Sequence, residues 1–159
     1  MEHLEVVAPA FVEMAHRIVW ATAATTDAAG RPATRILHPI WDWDGHELTG
    51  RVATSPLSPK AHHLEQVPFV SVTYWHPTHD TCTARCHADW LKTPDDRRAL
   101  WDRFANTPLP LGYDPTIIPG WDSPEAPTFG VLRLVPDRLS VRTGAALMSG
   151  QPATVWRRD

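Results

Sequence analysis

The sequence predicts an α+β fold, mainly β, in which one antiparallel sheet of six or seven strands carries two or three helices. Three observations lead there. Strand-like and helix-like runs follow in the order β-β-β-α-β-β-α-β-β, which lacks the regular alternation of a parallel α/β sheet. The first three strands are joined by short turn clusters, DAAGRP (27–32) and DWDG (42–45), so they form an antiparallel meander. An antiparallel sheet of this size also gains by curling or closing into a barrel, because open edges expose unpaired N–H and C=O groups.

Each element has its own signal. PAFVEMAH (9–16) allows a short helix, with Pro9 in the first turn and Phe11, Val12 and Ala15 spaced for one apolar face. IVWATAATT (18–26), ATRILHPIW (33–41) and HELTGRVAT (46–54) read as strands. SPLSPKAHHLEQ opens a helix, with Ser58 as N-cap and Pro59 at the first helical position. PFVSVTYW (68–75) alternates as a strand does. TCTARCHADWL (81–91) follows, with Cys82, Ala84, Cys86 and Ala88 on one face and Thr83, Arg85, His87 and Asp89 on the other. Thr93 caps a helix that starts at Pro94, where Asp95 and Asp96 complement the helix dipole. Residues 107–127 are too rich in Pro and Gly for regular structure, and a loop of that length suits a lid or an interface arm. TFGVLRLVP (128–136) and RLSVRTG (138–144) read as closing strands, with a strand-like stretch around Ala153–Trp156.

Composition narrows the function. The 159 residues suit a single domain, 1–159, and 43% hydrophobic against 21% charged residues predicts a folded chain with a real core. A net charge of −3 argues against gripping nucleic acid as the main task. No apolar run approaches the roughly 20 residues of a membrane span. The opening MEHLEVVAPAFVEMAHRIVW is broken by Glu2, Glu5, Glu13, His16 and Arg17, unlike a signal peptide. Two cysteines are too few for a disulfide framework, so a cytoplasmic location is expected. Eight Trp provide flat surface for a core, a dimer interface or a planar ligand.

One stretch carries chemistry. In SPLSPKAHHLE (55–65) a hydroxyl and a lysine sit at a helix start between two strands. Helix N-termini present free N–H groups and a positive dipole end, so this is either an anion site or an ordinary capped helix. A phosphate monoester, close to doubly charged, wants several convergent donors, which Arg35, Lys60, Ser58 and the helix start can supply. His76, His79, Cys82, Cys86 and His87 bunch together, but the spacing H-x2-H-x2-C-x3-C-H is not a usual metal pattern, and Cys86 and His87 face opposite sides of a strand; no metal is expected. His62 and His63 are adjacent and share no face. No nucleophile elbow, GxGxxG or P-loop occurs.

The run TRILHPIW, then a hairpin, then RVATSPLSPKAHHLEQVPFVSVTYW resembles the pyridoxamine 5'-phosphate oxidase-like flavoproteins, from residue 18 to about residue 90. The sharpest element is S-x-K-A-H-x-L-E followed by P-x-V-S-V. The resemblance implies a split β-barrel that binds FMN, or a deazaflavin, at the interface of a homodimer and acts on a small molecule. It implies that Arg35, Ser58 and Lys60 contact the cofactor phosphate. Ile36, Leu37 and His38 would lie along the isoalloxazine ring, with Ala53 and Thr54 offering hydrogen bonds. Where the oxidase has a Gln facing the flavin, this chain has Cys82 or Thr83, and Pro59 replaces a frequent second basic residue. The oxidase's pyridoxal-phosphate pocket has no match here. Tyr113 and Trp121 of the long loop are candidates for substrate contact by position. The implied activity is hydride transfer at flavin N5. The alternatives are a non-catalytic flavin or haem storage protein and a deazaflavin-dependent reductase.

Overall fold

A computed structural model describes residues 2–158. The elements are α1 (Leu4–Ile18), β1 (Ala21–Thr26), β2 (Pro32–Leu37), β3 (Pro39–Trp43), β4 (Leu48–Thr54), α2 (Pro59–Gln66), β5 (Phe69–Trp75), β6 (Thr81–Leu91), α3 (Pro94–Asn106), a 3-10 turn (Pro115–Ile117), β7 (Gly130–Arg142), α4 (Gly144–Met148) and β8 (Thr154–Arg157). The architecture is the expected one, an antiparallel, mainly β α+β fold. The described residues hold eight strands and four helices, against six or seven and two or three expected.

Three differences have physical causes. Helix α1 begins well before residue 9 and keeps Pro9 in its interior. Proline there removes a backbone hydrogen bond at about 3 kcal/mol. That is offset because Val7, Ala8, Phe11, Met14 and Ala15 form one buried stripe, at about 1.5–3 kcal/mol for each larger side chain. The expected strand 33–41 breaks at His38, because Pro39 lacks the N–H that a continuing ladder needs and the chain changes direction. The two expected closing strands are one strand, β7. A register shift against β6, between Arg85 and Cys86, pairs Cys86 with Pro136 and leaves Asp137 outside the pairing.

Strand order is β2-β1-β5-β6-β7-β4-β3, and β8 pairs with the part of β7 beyond the stretch that β4 covers. Strands β2 and β3 are consecutive in sequence yet sit at opposite ends of this order. The sheet must therefore roll until its two edges meet at His38, although no ladder joins them.

The roll encloses the larger core. Phe11 of α1 stacks edge-on against Trp41 with centroids 4.9 Å apart, and the Trp41 Nε1–H donates to the buried Tyr74 hydroxyl at 2.8 Å. The backbone N–H of Trp41 donates to His16 Nε2 at 2.9 Å, tying β3 to α1. Gly50 pairs with Trp41 across β3 and β4, and a Cβ there would meet the indole at 2.7 Å. A second core lies on the other face of β3 and β7, where α3 packs Leu100 and Phe104 against Ile40, Phe129 and Val131. With both faces covered, Pro39, Ile40 and Trp41 are buried in succession. No helix of the described residues is long and apolar enough to cross a membrane.

Tyr74→Phe leaves the Trp41 indole N–H buried without a partner. It should lower the unfolding free energy by about 1–3 kcal/mol at unchanged denaturant slope. An unchanged midpoint in urea titration would show that this bond contributes nothing net.

Candidate functional site: an anion cradle beside an apolar cavity

The cradle is built where α2 starts. Ser58 has the extended backbone of an N-cap, but its hydroxyl does not cap the helix. Instead Ser58 Oγ donates to Ser55 O at 2.8 Å and accepts from Lys60 Nζ at 2.6 Å. Lys60 is only 8% exposed. Arg35 uses Nη1 to reach Ala23 O across the β1–β2 ladder at 3.3 Å, which leaves most of its N–H donors free. Helix α2 is held against β1 by a 3.0 Å bond between Thr25 Oγ1 and His63 Nδ1.

Two cations thus sit close together without a counter-charge. Burial, and then the charge of Arg35, lowers the pKa of Lys60, while burial alone lowers that of Arg35. Every salt bridge among the described residues joins other partners. Buried charge without a partner is costly, and an incoming anion relieves it.

Further along β2, Ile36, Leu37 and His38 join Ala53 of β4 and Tyr113 and Trp121 of the long loop around a cavity of about 320 Å³. The loop is pinned by Trp121 Nε1–H to Thr128 O at 3.0 Å and by the Arg97 guanidinium, which donates to Pro124 O and Ala126 O. Tyr113 N–H donates to Phe104 O at 3.1 Å, which sets the loop on the end of α3. Trp20, Leu109, Ile117 and Ile118 also line the cavity. Sequence reasoning missed Trp20, whose only signal was a bulky residue just before the first strand. A second cleft, about 290 Å³, holds Asp42, Arg51 and Arg103, but these pair with one another at 2.8 and 3.1 Å.

His38 sits at the seam of the roll. The rings of Trp20, Phe104 and Tyr113 surround it at 5.0, 5.2 and 5.3 Å, and its buried Nε2 has no hydrogen-bond partner among the described residues. Burial pushes its pKa down to about 4 and pushes the Tyr113 hydroxyl up to about 12, so both groups are neutral near pH 7.

Thr54, buried beside Ala53, ends β4 four residues before Ser58 and so links the cavity wall to the cradle. Cys82 is placed elsewhere. It is 1% exposed inside the roll, among the core residues that pack under α1, and burial raises its pKa well above the usual thiol range. The inward face of β6 carries Cys82 and the outward face carries Thr83, so Cys82 belongs to the core rather than the cavity.

No protein-family model matches the chain, and no curated protein matches it. Solved structures do. An FMN-binding protein of Nostoc punctiforme related to pyridoxamine 5'-phosphate oxidase superposes with a TM-score of 0.69 at 18% identity, covering 100% of this chain and 92% of that one. A Clostridium acetobutylicum protein related to general stress protein 26, of the pyridoxinephosphate oxidase family, gives 0.70 at 10% identity, covering 97% and 94%. This chain has the pyridoxamine 5'-phosphate oxidase-like split-barrel fold. The haem storage protein HutZ of Vibrio cholerae is also similar, with a TM-score of 0.60, 21% identity and coverage of 85% and 94%. The fold sets the cradle and the cavity side by side, with Arg35 directly before Ile36 and Leu37 on β2.

The lowered pKa of His38 has a pH signature. Between pH 6.5 and about 4 the unfolded chain takes up a proton at this position and the folded chain does not, so stability is lost as pH falls through that window. His38→Gln should remove that part of the loss. At pH 5 the deficit attributable to His38 is about 2 kcal/mol. Parallel stability profiles of the two proteins between pH 7 and 4.5 would contradict the burial of an uncharged imidazole.

Proposed function

We propose that the chain binds FMN and works as a flavin-dependent oxidoreductase on a small molecule. The observation that carries this reading is the pair of uncompensated cations, the buried Lys60 and the half-buried Arg35, beside the Ser58 hydroxyl and the start of α2. That donor set fits a phosphate dianion: Arg35 offers a fork, Lys60 a point charge and Ser58 a hydroxyl. Along β2, at about 3.3 Å per residue, the strand then leads from Arg35 over roughly 10 Å to His38. Ile36, Leu37 and His38, with Ala53 and Thr54 opposite, supply the wall against which the flavin ring rests. When bound, FMN supplies hydride transfer at its N5 atom. The chain's own residues bind the phosphate, orient the ring and exclude water with the long loop. A deazaflavin has the same phosphate and a similar ring, and fits the same groups. The likeness to HutZ favours a second reading, storage of flavin or haem without turnover, which the absorbance spectrum of loaded protein and its response to a nicotinamide donor would separate.

We infer that the working unit is a homodimer. The outer face of the sheet has a row of cross-strand neighbours, Ile36, Thr22, Thr73, Thr83 and Ser140, that carries no charge. Trp20 and Ile36, each 60% exposed, stand where this face meets the cavity mouth. A second copy laid on this face would cover them and shield the ring.

Lys60→Met and Arg35→Ala should each weaken FMN binding about 10-fold or more, since each removes a charge-assisted contact of about 1.5–3 kcal/mol. Lys60→Met should also raise the stability of the cofactor-free protein, because it removes a buried charge. Calorimetric titration and denaturant melts read both, and light scattering on the same samples should give twice the monomer mass. Unaltered FMN affinity in both variants would place the phosphate elsewhere, and a monomer mass would remove the dimer.

A further inference from the structure

We propose that the small molecule admitted to the cavity is uncharged, planar and conjugated, and carries a carbonyl-type oxygen. This rests on the cofactor reading above, because it assigns the space between the ring's wall and the long loop. The cavity lining contains no Asp, Glu, Lys or Arg. The two uncompensated cations of this region, Arg35 and Lys60, belong to the cradle, and the charges of the cleft with Asp42, Arg51 and Arg103 are taken up by its own ion pairs. A phosphate, sulfonate or carboxylate on the ligand would enter an apolar slot with nothing to pair with, which strongly disfavours it.

Shape points the same way. Beyond the residues assigned to the flavin ring, Tyr113, Ile117, Ile118 and Trp121 line the cavity. These are flat or branched groups, suited to a conjugated ring. Two polar handles remain. The buried His38 Nε2 has no hydrogen-bond partner among the described residues, and the Tyr113 side chain lines the same cavity with its ring 5.3 Å from the imidazole. Both are neutral near pH 7; the Tyr113 hydroxyl can donate to a carbonyl oxygen, the His38 imidazole, which hydrogen-bonds the Leu111 backbone, presents a neutral ring, and neither offers charge to an anion. A site that leaves such groups unpaired favours a ligand that satisfies them.

The test compares three probes by calorimetry, with both FMN-loaded and cofactor-free protein: menadione, a naphthoquinone sulfonate and pyridoxal 5'-phosphate. With the cradle occupied by FMN, menadione should bind at least about 10-fold more tightly than either anion, because each anion must lose its hydration without gaining a partner; in cofactor-free protein the anions can use the empty cradle. Ile117 is 67% exposed, so Ile117→Lys should be tolerated by the fold. It should reverse the order of menadione and the sulfonate. Equal or tighter binding of the anions to the unaltered FMN-loaded protein, binding of none of the three, or an unreversed order in FMN-loaded Ile117→Lys would each overturn the proposal. The two readings fail separately. FMN binding without discrimination among the probes removes the substrate class alone, whereas discrimination by cofactor-free protein that never binds FMN removes the cofactor alone.

Discussion

The covalent bond between β2 and β3 constrains everything else in this fold. These strands follow one another directly, with His38 between them, yet the hydrogen-bonded order of the sheet puts them at opposite ends. A flat sheet cannot satisfy both facts, so the sheet rolls. Rolling makes an interior that α1 fills with Phe11 and Met14, and it brings the end of β2 and Ala53 of β4 to one cavity, at a seam that has no ladder. The seam is where a ligand can approach backbone and side chains from both edges. The cavity lies there, and His38 is its corner.

Placing function at the seam also explains where the molecule gives up stability. Inside the roll, polar groups are paired: the Trp41 indole with Tyr74, the Trp41 amide with His16. At the seam they are not. The buried Lys60 and the half-buried Arg35 sit together without a carboxylate, and the buried His38 Nε2 has no partner among the described residues. Arg138 Nε and Arg142 Nε on β7 are buried without a partner as well, so what marks the seam is an unpaired polar atom together with two uncompensated cations. The division of labour follows from chemistry: cations from β2 and the start of α2 for an anion, neutral apolar and aromatic surface from Ile36 onward for a ring.

Much of this was legible in the chain. Alternation along β6 put Cys82, Ala84, Cys86 and Ala88 inward, and they are buried; the Thr93 hydroxyl caps α3 by accepting from the Asp96 amide at 3.1 Å. These signals are local, so the sequence carries them in full. The S-x-K run and Arg35 suggested an anion site, and the fold brings those side chains together. What was not legible depended on distant parts of the chain. A proline at 39 could have sat at an edge or a bend, and only the sheet order decides. The bulge at Asp137 that makes two short strands into β7 depends on the partner strand β6. Ser58 has the backbone of a cap, but its hydroxyl turns to Lys60, a choice made by the burial of that lysine. Cys82 lies on the strand that the family comparison suggested, but the inward face of that strand is core. Trp20 had no pattern to mark it, because its role comes from the seam.

The account stands on a phosphate handle at one end of an apolar ring site. The most direct measurement compares FMN with riboflavin, which has the same ring and tether but no phosphate. Titrated under identical conditions, FMN should bind at least about 100-fold more tightly, since two or more charge-assisted contacts are lost with the phosphate. Equal affinity for the two would contradict the account, because Arg35, Ser58 and Lys60 would then have no part in holding the ligand.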